Sequence, residues 1–249
     1  MRYLINKFLK RIGLKLIVLQ KNEKPLKKNE KQNVENVLNG EVYSPFDQVP
    51  FAGETLQYVI KNYEFEDVLD VGSGEGKHSD IFKLFNKNVT SIDFGKSVYF
   101  EKRSSKHACV FGDYYSYNFN KKFDLIWASH VLEHQPNPNL FLKKIFNDLK
   151  ENGILAITAP PLKHEIVGGH VTLWNAGLLL YQLVLAGFNC KEASIKSYGY
   201  NISVVLQKKT IKELPELSYD SGDITLLSDY LPKGLNEPFD GNIHHLNWK

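Results

Sequence analysis

Glu66-Asp67-Val68-Leu69-Asp70-Val71-Gly72-Ser73-Gly74-Glu75-Gly76-Lys77-His78-Ser79 decides how the rest of the chain reads. An apolar run ending at Val71 breaks into glycines at alternate positions. The residues that follow, Ile81, Phe82, Leu84 and Phe85, fall at helical spacing. The pattern is a strand, a tight turn and a helix. Glycine tolerates positive φ and lets a ligand approach the backbone with no Cβ in the way. The helix after it offers unpaired N–H groups in its first turn. In an open α/β sheet, such a turn lies at the carboxyl end of a central strand, the edge where ligands bind.

Two nucleotide-binding patterns fail here by residue count. G-x-G-x-x-G would need a glycine where Lys77 stands, and G-x-x-x-x-G-K-[ST] would need a glycine at Val71 and a hydroxyl at His78. D-x-G-x-G-x-G fits, from Asp70 to Gly76. It resembles the S-adenosylmethionine loop of the class I methyltransferases. In that family the glycines pass under the methionine part of the cofactor, and the carboxylate before them helps hold its ammonium end. The resemblance therefore implies Asp70, Gly72, Ser73, Gly74 and Gly76 as cofactor-binding residues. A plain glycine-rich turn is the competing reading, and the chain downstream decides between them.

Asn88 to Asp93 reads as a second strand ending in a carboxylate 17 residues past Gly76. A carboxylate there can accept both ribose hydroxyls, and the resemblance gives Asp93, followed by Phe94, that purpose; otherwise Asp93 caps the next helix. His107 to Asp113 reads as the third strand and its exit turn. The resemblance implies that Asp113, after Gly112, reaches the adenine amino group, with Phe111 or Tyr114 beside the ring. The alternative is a turn-forming Gly-Asp pair.

Phe123-Asp-Leu-Ile-Trp-Ala-Ser129-His130-Val-Leu-Glu133-His134 joins a buried strand to a short polar segment. A helix over Asn139 to Lys150 follows, ended by Asn152-Gly153, and then a fifth strand over Ile154 to Thr158. This stretch resembles the fourth and fifth strands of the same family, and it implies Ser129 and His130 on the cofactor side. The likeness runs from Asp67 to Pro161 and more weakly to Lys208. Residues 48–62 read as a helix before the first strand, Trp174 to Phe188 as an apolar helix, and 188–197 with 201–208 as a closing hairpin. The expected fold is α/β: a Rossmann-like, seven-stranded, mostly parallel sheet with one antiparallel edge strand and helices on both faces. The expected units are residues 1–40, a basic amphipathic helix and linker; 41–209, the S-adenosylmethionine-binding domain; and 210–249, a C-terminal extension folded back on the body.

Composition narrows the partners. Residues 1–31 hold ten Lys/Arg and two Glu, so the rest of the chain, with 21 basic and 26 acidic residues, is mildly acidic. A polyanionic substrate would need a basic surface there, so nucleic acid is not the expected partner. Two distant cysteines, Cys109 and Cys190, suggest a reducing cytosol and neither a disulfide framework nor zinc. Apolar residues at helical spacing from Met1 to Leu19, with Lys/Arg between them, suit either a helix packed on the domain or a second subunit, or one resting on an anionic membrane face.

The [DN]-P-P-[YFW] motif of exocyclic-amine methylation is absent after the fourth strand, where Ala128-Ser129-His130 stands. An oxygen acceptor is therefore expected. A phosphate-type oxygen would already be anionic and would need orientation by cations, whereas a hydroxyl would need a base. Histidine is the natural one near neutral pH. His170, on a loop with no packing pattern, and His130, at the end of the fourth strand, are the candidates. His164, His170, Trp174, His244 and His245 are candidates for the substrate side. His134 is read as shaping the cofactor-side loop. A metal on His164, Glu165 and His170 matches no ligand motif, so none is expected. Gly168 to Asn175 and the terminal Asn-Ile-His-His-Leu-Asn-Trp resemble methyltransferases of bacterial capsule or lipopolysaccharide synthesis. That implies a sugar, a nucleotide-activated sugar or a phosphoramidate-type precursor as acceptor. Open alternatives are a catalytically inactive cofactor-binding partner, a small-molecule methyltransferase outside glycan metabolism, and a phosphate-loop nucleotide enzyme.

Overall fold

The computed structural model describes residues 44–104 and 107–249. The N-terminal helix and linker expected over residues 1–40, with their membrane or subunit contact, lie outside the described residues. Eight strands form one sheet in the order β3-β2-β1-β4-β5-β7-β6-β8. They are β1 (Asp67–Val71), β2 (Asn88–Asp93), β3 (Val110–Phe111), β4 (Phe123–Ser129), β5 (Leu149–Ala159), β6 (Ser194–Tyr198), β7 (Asn201–Gln207) and β8 (His245–Leu246). β1 to β5 are parallel, while β7 runs antiparallel between β5 and β6. The expected α/β sheet is therefore present. The hairpin forms, its first strand starting at Ser194 rather than at 188, and it places the reversed strand one position in from β6. An eighth strand, supplied by the C-terminal segment, pairs antiparallel to β6.

Helices cover both faces, which is why the central strands are continuous apolar runs. Leu125 and Trp127 of β4 pack on one face against α1 (Gly53–Asn62) and α2 (Lys77–Leu84); Ile126 and Ala128 pack on the other against α4 (Pro138–Asp148) and α5 (Ala176–Leu185). Period-two alternation thus serves two cores at once. A single-turn α3 (Val98–Glu101) follows β2.

Several boundaries differ from the sequence reading, two of them through strand pairing. α4 stops at Asp148 rather than at Asn152-Gly153, because Leu149 already pairs with Phe123 and the register shifts before Ile154 rejoins Leu125. β3 is two residues long, since only Val110 and Phe111 pair with β2. The extension beyond residue 210 adds a short α6 (Asp223–Leu226), buries Leu227 and Leu231 in the core, and stacks Trp248 on Tyr58 of α1 with ring centroids 3.9 Å apart. Among the described residues, no helix is long and apolar enough to cross a membrane.

Candidate active site

Gly72, Gly74 and Gly76 all take left-handed φ, at 71°, 51° and 84°. Packing makes two of them irreplaceable as well: a Cβ on Gly72 would stand 2.4 Å from the Val131 side chain, and one on Gly76 would stand 2.5 Å from the His107 ring. Gly74 is different. Its nearest neighbour would be Tyr99 Cβ at 3.3 Å, so its bare Cα lies open above the turn. That is the cradle a cofactor needs for close backbone approach.

The acids that flank the turn brace it. Asp93 is buried, and its two oxygens accept the Gly74 N–H at 2.9 Å and the Gly95 N–H at 2.7 Å. An ionised carboxylate offers about four lone-pair positions, so Asp93 can hold the loop and still accept ribose hydroxyls. Asp70 is buried and accepts from Ser79 Oγ at 2.5 Å, tying β1 to the first turn of α2. Burial, with Asp93 adding repulsion, pushes Asp70 up to about 7. Ser73 Oγ lies 3.2 Å from His107 Nε2, a contact that no pattern in the sequence announced.

Across the adenine side, Phe94 and Phe111 are exposed at 62% and 61%, and Gly112 donates its N–H to the Asp93 carbonyl at 3.1 Å. Asp113 is exposed and turns one oxygen back to the Tyr115 N–H. Tyr114 is a correction. Its ring is buried against Phe141, and its hydroxyl donates to Asp148 at 2.9 Å, so it belongs to the core and leaves Phe111 as the aromatic at that position.

The other half of the site begins one residue from the Gly72–Val131 contact. Ser129 shares a hydroxyl pair with Thr158 at 3.0 Å, and His130 takes a left-handed φ of 54° as β4 ends. Non-glycine residues adopt that conformation only where the surroundings over-determine it. Here Phe51 stacks on the imidazole at 4.4 Å, and His130 Nε2 lies 2.8 Å from Asn201 Oδ1. Asn201 Oδ1 also accepts the Ala52 N–H, which fixes it as an acceptor. In the neutral ring Nε2 then carries the proton, and Nδ1 keeps its lone pair.

His130 Nδ1 faces Glu133 Oε1 at 3.5 Å, and His134 Nε2 faces the same oxygen at 3.6 Å. His134 donates Nδ1–H to the Gly169 carbonyl at 2.6 Å, so its Nε2 is also bare. Glu133 is only 1% exposed, yet neither carboxylate oxygen accepts a hydrogen bond among the described residues. His170 completes the cluster, its ring 5.0 Å from that of His134, and burial lowers its pKa. The Val171 and Thr172 N–H groups both donate to the Glu133 carbonyl and hold this loop on the Leu132–His134 turn.

Sequence reading names His130 and His170 as candidate bases and gives His134 to the cofactor-side loop; the structure brings the three together around Glu133, which that reading overlooked and whose signal was the adjacent Glu-His pair after β4. Two other expectations are corrected. Trp174 is buried and gives its indole N–H to Thr172, so it stiffens the loop instead of meeting a substrate. His245 sits on edge strand β8 opposite Lys196, far across the sheet from β4. His164 is exposed and outside the cluster. His244 lines a groove of about 530 Å³ with Leu162, Tyr198, Asn201, Asp240 and Asn242.

A family model described as a methyltransferase domain matches residues 69–157. A ubiquinone biosynthesis O-methyltransferase of Glaesserella parasuis serovar 5 is 32% identical over 103 residues, which are 36% of this chain and 44% of that protein. The chain thus matches less than half the length of this curated relative. A crystal structure of an S-adenosylmethionine-dependent methyltransferase from Archaeoglobus fulgidus superposes with a TM-score of 0.55 at 16% identity, covering 71% of this chain and 98% of that one. The 1,6-didemethyltoxoflavin-N1-methyltransferase of Burkholderia thailandensis, with S-adenosylhomocysteine bound, superposes at 0.53 and 16% identity, covering 74% and 88%. Residues 69–157 thus match a methyltransferase-domain model, and the chain around them shares the fold of these two solved structures.

Proposed function

We propose that the protein transfers a methyl group from S-adenosylmethionine to an oxygen of a small polar acceptor, a sugar or nucleotide-activated sugar of glycan assembly. The observation that carries this reading is the contact between Gly72 and Val131. It sets the open backbone of the cofactor turn beside a rim made of His130, Glu133, His134 and His170. The printed name of the Glaesserella relative, an O-methyltransferase, supports the choice of atom. So does the absence of an amine-methylating motif after β4. The capsule-type segment Gly168 to Asn175 supplies the rim's loop, and the groove lined by Asp240, Asn242 and His244 offers hydroxyl-recognising groups beside Asn201.

Gly74 and Asp93 would hold S-adenosylmethionine, which would supply an electrophilic methyl group, the bond to sulfur breaking as the acceptor oxygen bonds to carbon. The chain's own work is positioning and proton removal. Holding the two reactants in line is worth roughly 7–11 kcal/mol in well-oriented cases. His130 Nδ1 takes the acceptor proton, because Asn201 fixes the opposite nitrogen as N–H. A base so placed adds roughly 10²–10⁴-fold. The test is mass analysis of products after methyl-labelled cofactor is offered with a panel of nucleotide sugars. Label on a sugar oxygen supports the reading. Label found on nitrogen, or on no panel member while other hydroxyl compounds are methylated, overturns it.

A further inference from the structure

We infer that Glu133, His134 and His170 bind a divalent first-row transition cation of the zinc type, at which the acceptor oxygen is presented to the methyl group. One donor atom from each of the three lies within 4.8 Å of the others. That spread suits a shared ion.

Three observations point to a ligand rather than to a bare cluster. First, the Glu133 carboxylate is almost fully buried, and among the described residues neither oxygen has a hydrogen-bond donor. A buried, unsatisfied charge costs several kcal/mol unless something of opposite charge meets it. Secondly, the imidazoles that approach Glu133 turn lone pairs toward it. His134 spends its N–H on the Gly169 carbonyl, and His130 spends its own on Asn201. Lone pairs facing a carboxylate repel it, whereas a cation between them is attracted by all. Thirdly, the bond from His134 to a backbone carbonyl is the outer-shell support that orients metal-bound histidines and raises their basicity. The loop carrying His170 is fastened by two N–H donors to the Glu133 carbonyl itself, so the third donor is held in place by the first.

Two imidazoles and one carboxylate form a donor set that favours zinc-like ions over magnesium. Three protein ligands leave coordination positions open, as catalytic sites do. An acceptor hydroxyl in such a position would be acidified, so that His130 removes its proton at lower cost. The inference rests on the proposed methyl transfer only for this last role; cation binding stands apart from it.

The experiment strips the full-length protein with chelator and titrates it with Co²⁺ alone, reading visible absorption, followed by competition with Zn²⁺ and with Mg²⁺. One equivalent of Co²⁺ should bind, displaced by Zn²⁺ and not by equimolar Mg²⁺. His170→Ala and Glu133→Gln should each weaken Co²⁺ by at least about tenfold, since even outer-shell losses cost that much. S-adenosylhomocysteine calorimetry on the same samples reports a folded cofactor side. Retained S-adenosylhomocysteine binding with no Co²⁺ spectrum, or with variants that bind Co²⁺ like the parent, overturns the cation. Equal competition by Mg²⁺ overturns its class. Co²⁺ binding without S-adenosylhomocysteine binding upholds the cation and sinks the methyltransferase reading instead.

Discussion

Beside the glycine turn, Asp93 accepts two backbone N–H groups and Asp70 accepts a hydroxyl; beside the His130–His170 cluster, the Glu133 carboxylate is buried as deeply and accepts no hydrogen bond among the described residues. Both halves sit at the same edge of one sheet, a single side-chain contact apart. The first half is finished before any ligand arrives. Its acids hold a turn of three left-handed glycines in a shape that would otherwise cost conformational entropy. The second half holds a buried carboxylate with imidazole nitrogens 3.5 and 3.6 Å away and no hydrogen bond to it among the described residues, an arrangement that a cation would satisfy. Cofactor recognition is thus a matter of preserved shape, and acceptor chemistry a matter of preserved electrostatic demand.

If that contrast holds, the largest effect comes from breaking the finished half. Asp93→Ala removes both clamps on Gly74 and Gly95 together with the proposed ribose acceptor. Hydrogen bonds to a charged group contribute about 1.5–3 kcal/mol each. S-adenosylhomocysteine affinity should therefore fall by roughly 100-fold or more, at about 1.4 kcal/mol per tenfold. Calorimetry checks it, and an unchanged dissociation constant would show that Asp93 neither braces the loop nor meets the ligand.

Glu133→Gln probes the unfinished half in the opposite sense. An amide of the same shape removes the buried charge and gives N–H donors to the bare His130 Nδ1 and His134 Nε2. The chelated protein should gain on the order of 1–2 kcal/mol of stability, while turnover falls. Thermal unfolding in chelator decides this: a lower melting temperature than the parent's would mean that the carboxylate was already satisfied and that the two halves do not differ.

Much of the finished half could be read in the sequence because its information is local. Glycines at alternate positions and a carboxylate ending the next strand carry their meaning within about 30 residues. The acceptor half draws on distant stretches: His130 is held by Asn201, and His134 by Gly169. Spacing alone could name the histidines but not the acid between them. Tyr114 and Trp174 misled for a related reason. An aromatic beside a functional turn reads as ligand-facing until the partner that claims its polar tip, Asp148 or Thr172, is known. β8 could not be foreseen, because two paired residues at an edge leave no periodicity.

The pH dependence of stability separates two buried groups with opposite signs. Asp70 rises to about 7 through burial, so the folded state binds more protons than the unfolded one between about 4 and 7. Its contribution is full below the unfolded value and is lost as pH climbs through about 7. His78, lowered to about 4 by burial beside Trp127, does the reverse: its contribution is present above the unfolded value and is lost as pH falls through about 4. Each partly hides the other. Asp70→Asn should make stability rise more steeply with pH between 4 and 7, by on the order of a few kcal/mol across the window. Urea melts at pH 5 and pH 7 measure it, and parallel curves for variant and parent would remove Asp70 as a titrating group.

The smallest effect makes the finest distinction, between the two aromatics around Asp113. Phe111→Ala removes a ring that is mostly exposed, edge-on to Phe100 at 4.9 Å. Folding should change by less than about 1 kcal/mol, since little area leaves the core. S-adenosylhomocysteine affinity should drop several-fold, in line with about 1 kcal/mol for stacking on one aromatic face. Tyr114→Phe should invert that pattern. It keeps the ring against Phe141 but deprives Asp148 of a buried hydroxyl donor, costing roughly 1–2 kcal/mol of stability with cofactor affinity unmoved. Melts and calorimetry on the two variants form a crossed design. If Tyr114→Phe weakens the ligand and Phe111→Ala does not, the adenine lies on the inner side of β3, and the cofactor half is organised differently from what the Gly74 opening implies.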